Sequence, residues 1–219
     1  MCYLQQLRDI LINNLKRDIM NNLAMLLISA ALMLHSPLGF SSPVEGKQYS
    51  KLSDPYKTSH HYEKFFSLTC GPCWKMNSIL EPSEQSGELE LDRVHVVFND
   101  STRASANLYY AFVVQQKSIS SEMLNELFHF QQTYSSKNRD KRRELFEKYD
   151  LLVPEQMSIN QKQQVDFLIQ NAESKTKQAQ ITSIPSFVVN GRYLVRIKGH
   201  SSVQDLLNTL QYLETKTTQ

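Results

Sequence analysis

Cys70 and Cys73, separated by Gly71 and Pro72, are the residues of this sequence most able to do chemistry. Two thiols at this spacing can close on each other, share a metal with further ligands, or exchange electrons with other thiols. Each reading makes its own demand. A zinc site needs four ligands, and past residue 41 the chain has no second cysteine pair, although His60 and His61 stand just upstream. A structural staple gains from closing a long loop, and a two-residue loop removes little chain entropy. Inert thiols need only apolar burial. A redox-active dithiol needs a first cysteine that ionises easily, and the flanking residues favour this reading over the other three.

The elements around the pair explain why. Phe65-Phe66-Ser67-Leu68 is a strand-like run, and Trp74-Lys75-Met76 begins an apolar pattern of helical spacing, so the pair is expected at a strand-to-helix junction. Pro72 suits a first helical turn, where its missing N–H has no partner to lose and its φ is already helical. Cys70 then falls at or just before the helix N-terminus, where unpaired N–H groups and the macrodipole favour a thiolate.

With 219 residues, six of them glycine, and 41% apolar composition, the chain can bury a substantial core, and one domain carrying an insertion is expected. The net charge of +2 points to no particular partner. Nucleic acid is not indicated, because the basic run Arg139, Lys141, Arg142, Arg143 is short and followed by Glu144 and Glu147, as on a solvated helix face. Leu23 to Leu34 is apolar apart from Ser29, follows Arg8, Lys16 and Arg17, and is too short to span a bilayer comfortably. His35-Ser36-Pro37 breaks it, and Gly39 and Ser41 supply small residues for cleavage, so residues 1–41 read as a secretory signal. Asp9 and Asp18 dilute the leading segment, which keeps an uncleaved membrane anchor as the alternative. Cleavage near Ser41 removes Cys2 and leaves Cys70 and Cys73 as the mature chain's cysteines. An exported protein with one close pair is expected to act on the disulfides of other proteins rather than to depend on its own.

Along the mature chain, Gln48 to Leu52 suggests a short edge strand, Glu63 to Leu68 a second strand, and Pro72 to about Ile79 a helix ended by Pro82 and Gly87, with Trp74, Met76 and Ile79 packing. Arg93-Val94-His95-Val96-Val97-Phe98 is a β-branched run of the kind buried mid-sheet, with His95 in a hydrogen-bonded structural role. Residues 101–180 hold no strand-like run; apolar residues recur at helical spacing, including Leu108, Phe112, Leu124, Phe128, Phe146, Val165, Phe167 and Ala172. The aromatic stripe Tyr109, Tyr110, Phe112, Phe128 and Phe130 is read as core. Two β-rich runs flank Asn190-Gly191, a strong hairpin signal, and His200 to Leu213 closes the chain as a helix capped by Ser201 or Ser202, with Val203, Leu206, Leu207 and Leu210 on one face.

These pieces carry a resemblance. Cys70-Gly71-Pro72-Cys73 at a helix start, with Ile184-Pro185 opening a later hairpin, resembles the thioredoxin superfamily. Gly46-Lys47-Gln48-Tyr49, Phe65-Phe66-Ser67, His95-Val96-Val97-Phe98, the helical block, Phe146 with Glu155 after it, and Ser183 to Gly191 resemble DsbA-type thiol:disulfide oxidoreductases of the bacterial periplasm over almost all of the mature chain. The resemblance implies an α/β, thioredoxin-like fold with an inserted all-helical domain: residues 42–100 and 181–219 form the thioredoxin-like part, and 101–180 the insertion. It implies a cis Ile184–Pro185 bond facing the cysteines and leaving the backbone of residue 184 to pair with an extended substrate. It implies an exported monomer, with no cofactor, that donates its Cys70–Cys73 disulfide to folding secreted proteins and is reoxidised by a DsbB-like membrane quinone reductase. A substrate thiolate would attack Cys70, and a second thiol would release it as thiolate, which leaves faster the lower its pKa.

The sequence departs from that family pattern twice. Gly71-Pro72, typical of thioredoxins that reduce, stands where DsbA-type proteins usually carry Pro-His, whose histidine helps hold the thiolate. Lys64 stands where the family commonly carries a buried acid; a cation there would favour thiolate, whereas an exposed Lys64 with Glu63 facing inward would not. His60 and His61 are further candidates to approach the pair. Two other functions therefore stay open: a reductase or isomerase of thioredoxin-like poise, and a redox-inactive peptide-binding chaperone using the same groove.

Overall fold

The computed structural model describes residues 42–116, 118–135 and 137–216; the secretory signal or anchor expected within residues 1–41 lies outside them. Five strands form one mixed sheet: β1 (Tyr49–Lys51), β2 (Tyr62–Phe66), β3 (Leu91–His95), β4 (Ser186–Val189) and β5 (Tyr193–Val195). Their spatial order is β1-β5-β4-β2-β3. β2 and β3 are parallel, as the connecting helix α1 (Gly71–Gln85) requires, and the other pairs are antiparallel. The helical block follows as α2 (Asp100–Gln115), α3 (Ser121–Thr133), α4 (Arg139–Lys148) and α5 (Ile159–Gln178), and α6 (Val203–Thr215) closes the chain. Among the described residues this is a thioredoxin fold with a helical insertion after β3, and no helix is long and apolar enough to cross a membrane.

The sheet is covered on both faces. On one, Tyr62, Phe187, Val189 and Val195 pack on Leu80 of α1 and Leu206, Leu210 and Leu213 of α6. On the other, Phe65, Val94 and Val188 join Ala106, Leu108 and Phe112 of α2 and Ile169 and Ala172 of α5. Each such aliphatic or aromatic side chain contributes roughly 1.5–3 kcal/mol on burial. The expected aromatic stripe, Tyr109 through Phe130, is all buried. Covering both faces makes every residue of β2 buried, which abolishes the polar/apolar alternation of a half-exposed strand.

The hairpin turns at Asn190-Gly191, both with positive φ (53° and 61°), and Arg192 N–H bonds Val189 C=O at 2.9 Å. A Cβ on Gly191 would stand 2.1 Å from the Tyr56 carbonyl oxygen, so the turn's glycine serves packing as well as conformation. Ser202 caps α6 by accepting the Asp205 N–H at 3.1 Å.

Several expectations need correction. β3 is an edge strand, not a central one. Val94, His95 and Val96 are buried because helices replace the missing neighbour, the His95 N–H, pointing off the sheet, donating to the Tyr110 hydroxyl at 3.1 Å, whereas Phe98 is exposed. Pro82 does not end α1, which runs on to Gln85. The carbonyl deprived of its partner belongs to Ser78, an exposed residue; Gly87, at φ 76°, makes the stop. Ile79, Phe167 and Val203 are exposed, Phe167 by 67%, because the core-facing arc of α5 passes through Val165, Ile169 and Ala172.

Candidate functional site

Cys70 is the N-cap of α1, and Pro72 lies in its first turn. The Cys73 backbone N–H points at Cys70 Sγ, 3.1 Å away, and no acidic residue occupies the first turn, so everything at this helix end favours negative charge on that sulfur. The two cysteines are joined as a disulfide, with Cα atoms 5.2 Å apart. Gly71 and Pro72 are exposed, Cys70 is partly exposed and Cys73 is fully buried. Of the two sulfurs, that of Cys70 is therefore the accessible one.

Ile184–Pro185 is cis, and the Ile184 carbonyl oxygen lies 3.8 Å from Cys70 Sγ. The loop entering the site is held at Leu68 from two directions. Its N–H donates to His95 Nε2 at 3.0 Å, and its C=O accepts from Gln132 Nε2 of α3 at 3.2 Å. His95 Nδ1 lies 3.0 Å from the Val96 carbonyl, which fixes the neutral tautomer that leaves Nε2 an acceptor. Full burial pushes the His95 pKa down to about 3, so the ring stays neutral. On α1, Trp74 stacks on Phe128 of α3, their centroids 6.2 Å apart, and seats the cysteine helix against the helical block.

Lys64 is not exposed: it is 1% accessible, on the sheet face that meets α1, and its Nζ donates to Asn77 Oδ1 at 3.4 Å. Burial, reinforced by Arg93 and opposed by Glu84, pushes its pKa down to about 7. Glu84 is ion-paired to Arg93, and burial outweighs that pull, leaving its carboxyl above the usual range. Glu63 is buried as well, on the opposite face of β2, where the Tyr56 hydroxyl donates to it and Lys175 of α5 pairs with it. Both neighbours thus face inward, in opposite directions. His60 and His61 do not approach the cysteines. They precede β2 at the far end of the sheet, His61 bonding Asn190 at 2.8 Å and His60 lying 3.7 Å from Glu90. Among the described residues, no cluster of His, Cys, Asp and Glu could hold a metal ion.

The sequence reading missed Gln132, Asn77, Glu84 and Arg93. Gln132 stands 64 residues from Leu68, and no local pattern joins them. Glu84 and Arg93 were visible as opposite charges flanking one tight connection, the signal that could have found them.

The thioredoxin family profile matches residues 56–211. No curated protein matches the chain in sequence. Solved structures with a similar fold include DsbA from Xylella fastidiosa (21% identity, 80% of this chain and 97% of that one, TM-score 0.65). DsbA disulfide interchange protein from Klebsiella pneumoniae is similar too (19%, 81% and 100%, TM-score 0.64). A third is a cysteine-to-serine variant of DsbA from Proteus mirabilis with a non-covalently bound peptide, PWATCDS (18%, 80% and 97%, TM-score 0.61). With a Cys-X-X-Cys disulfide at a helix N-terminus of this fold, the protein is a thiol:disulfide oxidoreductase. Because the match runs from before the strand that leads into Cys70 to the last turns of α6, the chain belongs to the thioredoxin family, in the DsbA-like form with a helical insertion.

Proposed function

We propose that this protein is exported to the periplasm and donates its Cys70–Cys73 disulfide to folding secreted or periplasmic proteins. The observation that carries the reading is the asymmetry of the pair: Cys70 is partly exposed at a helix N-terminus, and Cys73 is fully buried. That arrangement makes Cys70 both the atom attacked and a good leaving group when the mixed disulfide resolves. The Ile184 carbonyl beside Cys70 supplies a backbone acceptor for an extended substrate segment, in keeping with the cysteine-containing peptide bound by the Proteus mirabilis relative. Residues 1–41 serve as the export signal, 42–100 and 181–219 as the thioredoxin-like part, and 101–180 as the insertion. A DsbB-like membrane quinone reductase restores the disulfide. The protein works as a monomer, without cofactor or nucleic acid.

Gly71-Pro72 supports a second reading, a reductase or isomerase poised like thioredoxin. Equilibration of the purified protein with glutathione buffers separates the two. A donor is half-reduced in buffers close to glutathione's own potential or above it; a reductase remains oxidised until the buffer is far more reducing. With Cys70 first capped as a mixed disulfide by glutathione disulfide, Cys73→Ala should pass on to a mixed disulfide with a reduced, unfolded substrate, releasing glutathione, and Cys70→Ala should form none. Disulfide formation surviving in Cys70→Ala would move the assignment to a peptide-binding chaperone.

A further inference from the structure

Two basic side chains and one carboxylate lie together between α1 and the sheet, Lys64 fully buried and Arg93 and Glu84 mostly so. Lys64 and Arg93 are register partners on the parallel strands β2 and β3, so their side chains leave the sheet on the same face. Glu84 of α1 is the carboxylate, and Arg93 takes it in an ion pair. Lys64 is left with Asn77 Oδ1 as its hydrogen-bond partner among the described residues, and with Phe187 of β4 as its other cross-strand neighbour. If all three groups were charged, the layer would hold one uncompensated positive charge, which a buried site resists. The compensating charge has an obvious source. Asn77 lies one helical turn beyond Cys73, on the same side of α1, and both are fully buried. Reduction of the disulfide places a negative charge at this end of the helix.

We propose that Lys64 is uncharged beneath the disulfide and takes up one proton when the pair is reduced to a Cys70 thiolate and a Cys73 thiol. The inference rests on the dithiol reading of the previous subsection. Two substrate thiols bring two protons and two electrons. The Cys70–Cys73 bond breaks, its two sulfurs take the electrons, and a disulfide forms between the substrate sulfurs. One proton goes to Cys73 and the other to Lys64 Nζ, leaving Cys70 ionised; the products carry one charge of each sign, and no proton is released. Lys64 touches no reacting atom and acts on the cysteines through charge, as a positioning residue. Its low proton affinity in the oxidised protein, with a pKa of about 7, agrees with this cycle. Across the interior, a thiolate about two helical turns away would raise that affinity roughly tenfold or more.

The test is the glutathione equilibrium measured between about pH 7 and 8, below the ordinary thiol pKa of about 8.5, with Cys70 ionisation followed by thiolate absorbance. Reduced glutathione carries both protons in this range. In the native protein one ends on Cys73 and Lys64 takes up part of the other, about half for a tenfold shift from a pKa of about 7 and more for a larger one, so the equilibrium constant should rise about threefold per pH unit or less. In Lys64→Met, one proton is released, so the constant should rise tenfold per pH unit. Calorimetry of the native protein in buffers of different ionisation enthalpy reads the same quantity without a variant: about half a proton or less should pass to the buffer for each disulfide reduced. A native constant that rises tenfold per pH unit overturns the proposal. So does a flat Lys64→Met, or a slope appearing in Glu84→Gln and not in Lys64→Met, which would make Glu84 the acceptor. Failure of the protein to equilibrate with glutathione at all would instead remove the underlying dithiol reading.

Discussion

His95 Nε2 accepts the Leu68 backbone N–H at 3.0 Å, two residues before Cys70. A fully buried imidazole at the end of an edge strand thus holds the loop that leads into Cys70. It can do so only while neutral, because a protonated ring has no lone pair to offer.

The first prediction follows from that requirement. An unfolded histidine titrates near 6.5, and His95 in the folded chain near 3. Above pH 6.5 both states are neutral. Between 6.5 and about 3 the unfolded state binds a proton that the folded state refuses, so this site should cost about 1.4 kcal/mol of stability per pH unit of acidification. Denaturant melts from pH 7 to 4 should show this slope in the native protein and a shallower one in His95→Leu. Equal slopes would show that the ring is not held neutral.

Lys64→Met should stabilise the protein at pH 7. Lysine in the unfolded chain stays charged there, while burial holds the folded group's pKa near 7, so the native residue opposes folding increasingly as pH falls from about 10 toward 7. Removing it should add about 1–4 kcal/mol at neutral pH, the range found when buried charges give way to apolar side chains. A loss of stability in urea melts would refute the account of Lys64 as an amine whose charge burial opposes.

Glu63 and Lys175 should behave in the opposite way. Although burial works against the charged form of Lys175, the Glu63 carboxylate and Asp92 hold its pKa above the ordinary lysine value. Lys175→Met leaves a fully buried carboxylate with the Tyr56 hydroxyl alone. The expected cost is roughly 3 kcal/mol or more by chemical denaturation, largely restored in the double variant Glu63→Gln/Lys175→Met. A single-variant cost below 1 kcal/mol would mean that water reaches the pair.

Gly191→Ala should be among the most damaging single-methyl changes in the chain. Its φ of 61° and the 2.1 Å approach of a Cβ to the Tyr56 carbonyl oxygen combine strain with a clash against backbone. A loss of about 3 kcal/mol or more is expected, from the upper part of the range for single substitutions. Asn190→Gly, by contrast, keeps the turn and loses the Asn190 side-chain bonds to His61 and to the Leu213 and Glu214 carbonyls, at about 1–2 kcal/mol.

What the residues disclosed in advance was whatever short-range chemistry decides. Asn190-Gly191 announces its own turn, Pro72 its place in a first helical turn, and Ser202 a cap. Cys70 as an N-cap follows from the strand before it and the proline after it. Position across the sheet is different in kind: that β3 is an edge depends on how a crossover and a distant hairpin share β2, and nothing in Arg93 to Phe98 records this. The orientation of Lys64 was equally hidden. Period-two alternation distinguishes faces only where one face is wet, and both faces of β2 are dry. The pin from Gln132 to Leu68 joins the helical block to the reactive loop across a separation that no local pattern encodes.

The Tyr110 hydroxyl that caps the His95 N–H has a bearing on solubility. β3 ends the sheet, and an unguarded rim of this β-branched composition would recruit the same segment of another molecule. The inserted helices thus double as a guard against self-pairing. A version of the chain trimmed to its sheet and two flanking helices should precipitate on refolding rather than yield a smaller working enzyme.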